Sequence, residues 1–190
     1  CAGLICPVKT LIINGSPRKN GDTQALIDAF VSGLDGEYRI VSREDDIAPC
    51  IDCRYCWENE GCAFIDGMQS IYNYIQDCDN ILIASPVYFS ELTGQLLSVG
   101  SRLQTYFCAR YFRNEIPIEK TKKGAVVLVS GGDASNERAY DTGCGLLHTM
   151  NCEDIHPLIE FNNTNSIRAT ERANFDSELE RIVNFFNAED

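Results

Sequence analysis

No apolar run in the sequence approaches the roughly 18 residues that a membrane-crossing helix needs. Cys1–Pro7 shows neither the basic flank nor the long apolar stretch of a secretory signal. Cationic charge is scarce as well: 16 Lys and Arg stand against 28 Asp and Glu, a formal net charge of −12. Association with nucleic acid or an anionic membrane rests on cationic contact with phosphates. The balance therefore argues against both as partners and leaves small molecules or other proteins. Histidine is nearly absent, and the two present, His148 and His156, stand alone, which fits structural roles. Several catalytic signatures are missing too. Gly21 is followed by Asp22 rather than Lys and Ser/Thr, so there is no Walker P-loop, and no GxGxxG, HExxH, Ser–His–Asp order or spaced carboxylate pair occurs. No side chain stands out as a catalytic acid, base or nucleophile.

What the chain does have is cysteine, ten in 190 residues. A secreted disulfide scaffold is usually shorter than about 100 residues and poor in core. Here the sequence is 44% hydrophobic, with strand and helix patterns long enough to fill one domain over residues 1–190 unaided. The cysteines then point to a reducing cytoplasm and to metal or redox chemistry.

Val8–Ile13 is a nearly continuous apolar run, as expected of a strand covered on both faces, and stops at Asn14-Gly15-Ser16-Pro17. Ala25, Leu26, Ala29, Phe30 and Leu34 follow at helical spacing, and Glu37–Ser42 reads as a second strand. Arg43–Gly67 is irregular, and Met68–Asp77 is again helical. Asn80–Ala84 and Gly124–Val129 are further buried strands, with a helix over Leu92–Tyr106 and a connection over Arg110–Thr121 between them. A weaker helix over Asn136–Met150, a fifth strand over Ile155–Phe161 and an amphipathic helix over Glu171–Phe186 complete the pattern. Strands alternating with helices predict an α/β fold, a parallel sheet covered on both faces.

In such sheets, ligands bind where the carboxyl ends of strands open into loops. Ser16–Thr23 gathers hydroxyls, amides, backbone N–H groups and Arg18 at a helix start, which suits a phosphate, although a plain turn with Asp22 as cap reads equally well. Ser85–Ser90 offers a proline turn, aromatics and hydroxyls suited to a flat ring, or simply aromatics that bury against the next helix. Ser130-Gly131-Gly132-Asp133 permits close backbone approach to a ligand, or only a tight turn. Together the three outline one crevice.

Asn14-Gly15-Ser16-Pro17-Arg18-x-x-Gly21-x-Thr23, followed by Ala84-Ser85-Pro86-Val87-Tyr88-Phe89, resembles the NADPH-dependent FMN reductase family, and most closely its iron–sulfur flavoprotein branch. The resemblance implies a flavodoxin-like three-layer sandwich whose five-stranded parallel sheet runs in the order 2-1-3-4-5. It implies that Ser16, Arg18, Asn20 and Thr23, with Asp22 and Gln24 beside them, hold the FMN phosphate. Pro86, Val87, Tyr88, Phe89 and Ser90, with Gly131 and Gly132, would frame the isoalloxazine. NAD(P)H as a transient electron donor and assembly into homodimers or homotetramers, the cysteine loop of one subunit near the FMN of another, are implied as well. One departure matters: the family usually carries Asn where this chain has Asp22. A carboxylate repels a phosphate, so Asp22 is expected to turn outward as a cap or to weaken phosphate binding.

Within a cysteine-rich loop at about 49–67, Cys50, Cys53, Cys56 and Cys62 spell C-x2-C-x2-C-x5-C. Four thiolates so close in sequence can wrap a [4Fe–4S] cluster, whereas structural zinc more often takes paired knuckles set further apart. The spacing favours iron–sulfur and leaves zinc open, as it does vestigial or disulfide-forming thiols. Pro49 and Asp66-Gly67-Met68 also match the iron–sulfur branch. Trp57 would shield such a cluster or pack at a subunit contact. Cys1, Cys6, Cys78, Cys108, Cys144 and Cys152 read as ordinary small buried thiols. The expected function is FMN-dependent electron transfer between a reduced nicotinamide or ferredoxin-type donor and a small-molecule or protein acceptor. A cluster-free NAD(P)H-dependent flavin or quinone reductase, a non-catalytic flavodoxin-like carrier and a zinc-stabilised binding module remain alternatives.

Overall fold

The structure, a computed structural model, describes residues 7–188 except 134, so Cys1 and Cys6 lie outside the described residues. The apolar runs form the central strands: β1 (Lys9–Asn14), β2 (Glu37–Val41), β3 (Asn80–Tyr88) and, after a short hairpin strand β4 (Glu91–Leu92), β5 (Lys122–Val129). The sheet runs β2-β1-β3-β5, and its last position is shared by β6 (Cys152–Ile155) and β7 (Ile159–Phe161). All pairings are parallel except that of β4, which turns back on β3 through Val87↔Leu92 and Tyr88↔Glu91. With β4 set aside and the last two strands counted as one, this is the flavodoxin-like order that the family resemblance implies.

Side chains alternate across the pleat, so each strand feeds two cores. Ile12, Leu82, Ala84 and Val127 pack on α1 (Asp22–Gly33) and α7 (Phe175–Asn187) through Ile27, Phe30, Ile182 and Phe186. On the other face Leu11, Ile13, Ile81 and Leu128 meet α3 (Met68–Asp77), α4 (Gly94–Arg102), α5 (Gln104–Phe112) and α6 (Glu137–Thr149). Most of these strand residues are wholly buried, each contributing about 2 kcal/mol of transfer free energy. No helix among the described residues is long and apolar enough to cross a membrane.

Three elements differ from the sequence reading. The fifth strand is two pieces: β6 pairs with Lys122–Gly124 and β7 with Val127–Val129. Pro157, which has no N–H to give a ladder, lies between them. The helix expected to stop near Tyr106 re-forms after Leu103 and runs to Phe112, taking in Arg110. Inside the irregular cysteine segment a single turn, α2 (Tyr55–Glu58), is helical.

Candidate functional site

The carboxyl ends of β1, β3 and β5 open onto a hollow of about 290 Å³. Its phosphate-like end lies at the start of α1. There Gly21 is the N-cap and no side chain caps the helix, which leaves first-turn N–H groups for a ligand. Ser16 and Thr23, 6% and 2% exposed, line this end together with Arg18, which has no ion pair among the described residues. The Ser16 N–H donates to Asn14 Oδ1 at 2.8 Å, and the Arg18 N–H donates to Ser16 Oγ at 3.2 Å, so the loop is held by its own side chains.

Asp22 corrects the sequence reading in its particulars. It does not cap its own helix; its carboxylate accepts the Ala169 N–H at 2.9 Å and stands 3.6 Å from Arg168 Nε. It therefore caps the turn Ala169–Glu171 and is partly neutralised there, although the residue still lines the hollow.

Of the residues expected around a flat ring, Pro86, Val87, Tyr88 and Gly131 line the hollow. Phe89 and Ser90 instead form the tip of the β3–β4 hairpin, where Phe89 is fully exposed. Asn20 and Gly132 are exposed and not among the lining residues, and the Gln24 amide oxygen accepts from Asn14 Nδ2 at 2.9 Å. Thr164 and Asn165 were missed. They follow β7, and the polar run Asn162-Asn163-Thr164-Asn165 after an apolar strand is the signal that marks a fourth loop. The Thr164 hydroxyl donates to Ser130 O at 3.1 Å, and a Cβ on Gly131 would meet the Asn165 side chain at 2.7 Å.

A second cleft is lined by Cys50, Cys53, Cys56 and Cys62, with Trp57, Phe64, Arg102 and Thr105. Asp52 (φ 51°) and Arg54 (φ 60°) are left-handed, which curls the backbone between successive cysteines. The floor is the α4–α5 pair. Ser101 Oγ accepts the Cys50 N–H at 3.0 Å, Thr105 Oγ1 donates to Gly61 O at 2.9 Å, and the Arg113 guanidinium donates to Cys56 O. Arg102 donates to Ala48 O at 2.9 Å and to both Asp66 oxygens at 2.6 and 3.2 Å, joining the two flanks of the cysteine loop. Trp57 leans on Phe112 at 4.7 Å.

The cleft is drawn in to about 20 Å³, and no three Cys, His, Asp or Glu among the described residues stand close enough to hold a metal ion. The donor set thus shares one cleft without being closed round a ligand, and its chemistry fits a thiolate-bound iron–sulfur centre. Cys78 and Cys152 are the buried thiols expected of them, but Cys108 is more: its Sγ lies 3.6 Å from that of Cys56. Burial, and then the Cys108 thiol, push Cys56 up to about 12.

Sheet order, helices on both faces and a polar hollow at the strand ends define a flavodoxin-like α/β protein. Residues 8–151 match the NADPH-dependent FMN reductase family, and the chain belongs to it. It is 30% identical over 114 residues to the iron–sulfur flavoprotein MJ1083 of Methanocaldococcus jannaschii, which covers 57% of this chain and 58% of that protein. The chain spans about three fifths of the length of four iron–sulfur flavoproteins it matches and two fifths of another. Among solved structures, it is similar to an NAD(P)H:quinone oxidoreductase from Methanothermobacter marburgensis, with 16% identity and a TM-score of 0.69, covering 96% of this chain and 99% of that one. An FMN-dependent NADH-azoreductase from Bacillus anthracis, solved with FMN, gives 17% identity and a TM-score of 0.68, covering 95% of this chain and 100% of that one.

Proposed function

We propose that this chain is an FMN-dependent, NAD(P)H-linked oxidoreductase that also carries an iron–sulfur cluster on Cys50, Cys53, Cys56 and Cys62. One observation carries the flavin half: the hollow lies where the carboxyl ends of β1, β3 and β5 converge on the uncapped start of α1. In this reading the first-turn N–H groups, Ser16, Thr23 and Arg18 bind the phosphate, since a helix start and a guanidinium both favour an anion. Pro86, Val87 and Tyr88 line one wall for the ring system, and Gly131 gives it close backbone approach on another. Bound FMN supplies redox chemistry that exchanges one or two electrons, so the protein need provide only orientation and a water-poor pocket. The cluster half is supported by the shared cleft of the four cysteines and by relatives named iron–sulfur flavoproteins.

Strictly anaerobic purification with FMN, iron and sulfide assays tests both halves, followed by NADH and NADPH oxidation with a quinone or free flavin acceptor. The expected outcome is flavin together with broad charge-transfer absorbance, and turnover that depends on FMN. Absence of FMN binding at micromolar concentrations would overturn the flavin half; flavin without iron would leave a cluster-free reductase.

A further inference from the structure

Four buried side-chain polar atoms lack a hydrogen-bond partner among the described residues: Arg102 Nε, Tyr106 Oη, Asn136 Oδ1 and Arg172 Nε. Only Arg102 belongs to a residue that lines either the hollow or the cysteine cleft. Its side chain is wholly buried. An unpartnered buried N–H costs about 1–3 kcal/mol, more on a charged group, so an orphan on a residue that lines the cysteine cleft calls for an acceptor. Both terminal nitrogens are already engaged: one holds Ala48 O and Asp66, the other holds Asp66, and the Phe64 ring lies 5.1 Å away. That network fixes the guanidinium plane and leaves Nε as its one nitrogen without a partner among the described residues.

We propose that Arg102 is a positioning residue for the metal centre: its terminal nitrogens tie the two flanks of the cysteine loop, and its Nε–H donates to a sulfur of the bound cluster. The inference rests on the iron–sulfur reading above. An iron–sulfur cluster on four thiolates is anionic and gains a further negative charge on reduction. A fixed cation donating to one of its sulfurs stabilises the reduced form and raises the potential. Arginine is required because one planar group supplies both the fork that grips Asp66 and a separate N–H pointing elsewhere; lysine offers a single point charge.

The test compares wild type, Arg102→Lys and Asp66→Asn after anaerobic reconstitution, reading iron, sulfide and the cluster midpoint from visible absorbance during a redox titration. R102K keeps a cation for Asp66 and loses the Nε–H. At the wild-type midpoint its oxidised-to-reduced ratio is expected to rise about tenfold, a shift of about 59 mV to more negative potential. D66N loosens the loop anchor but keeps Nε, so it is expected to lower iron loading without moving the midpoint negative. In wild type labelled with 15N-arginine, the reduced cluster is expected to show a hyperfine coupling to arginine nitrogen, a readout that needs no variant to fold. Loaded R102K with an unchanged midpoint, or no such coupling, overturns the inference while leaving the cluster reading intact. Wild type that takes up no iron overturns both.

Discussion

Asp66 and Arg102 meet where an ion pair is hard to replace, one side chain 19% exposed and the other not at all. The Arg102 guanidinium beside Asp66 holds its carboxyl below the usual carboxylate range, against the opposing effect of burial. The unfolded chain binds the Asp66 proton more tightly, so stability rises with pH through that window. The contribution is complete above the unfolded value of about 3.9 and is lost as pH falls through the lower folded value. Asp66→Asn leaves a buried guanidinium without its counter-charge, and a loss of about 3 kcal/mol at neutral pH is expected. Urea midpoints measured from neutral pH down to about pH 3 check both parts: the variant starts lower and falls less steeply than wild type. Parallel curves would mean that the pair carries no acid-linked stability. Residue chemistry of this kind was only partly legible. The four cysteines announce themselves by spacing, whereas Arg102 sits in a helix with no motif, and only its burial beside them gives it a role.

At the scale of elements, one hydroxyl links a helix start to the candidate phosphate loop. Thr93 Oγ1 accepts the Leu96 N–H at the start of α4 at 3.4 Å and donates to Gly15 O at 2.7 Å. Gly15 in turn donates to Ala84 O at 2.8 Å, and a Cβ placed on it would meet Ser85 Oγ at 2.6 Å. Thr93→Ala removes the cap and the anchor together and is expected to cost about 1–2 kcal/mol. FMN affinity should fall several-fold through the loosened Ser16 loop, while Thr93→Ser retains both properties. Chemical denaturation and FMN fluorescence quenching separate the two effects; full FMN affinity in T93A would show that the anchor is not needed. The buried strands were legible because their apolar runs are short, rich in Val and Ile and stopped by turn residues, features that separate a covered strand from a buried helix where periodicity does not. The β3–β4 hairpin was not, since tight primed turns are usually signalled by Asn-Gly or Asp-Gly. Here the two left-handed positions are Phe89 (φ 54°) and Ser90 (φ 61°). The α4–α5 floor was missed for another reason: Ser101 and Arg102 on α4 and Thr105 and Cys108 on α5 belong to no motif, and their polar atoms acquire meaning only from the cysteine loop they contact.

At the scale of the whole molecule, loops far apart in sequence meet only because the strand order brings β1, β3 and β5 side by side. That convergence was legible from the strand-and-helix alternation, whereas the contribution of the β7 loop depended on a strand broken at Pro157. A ligand that bridges separate loops binds the folded state alone and so stabilises the entire sheet. At a hundred times its dissociation constant, FMN is expected to add about 2.7 kcal/mol. For a chain of 190 residues this corresponds to a rise in Tm of about 5–10 °C. Riboflavin presents the same rings without the phosphate, so at equal concentration its shift should be less than half as large. Arg18 is exposed, so Arg18→Ala should leave the ligand-free Tm unchanged while reducing the FMN shift towards that of riboflavin. Because the chain carries a net charge of −12, an added phosphate dianion is repelled at long range, and any advantage of FMN over riboflavin must arise from local donors. Thermal unfolding with each ligand decides the matter: equal shifts for FMN and riboflavin would place the binding energy in the ring pocket and remove the start of α1 from the site.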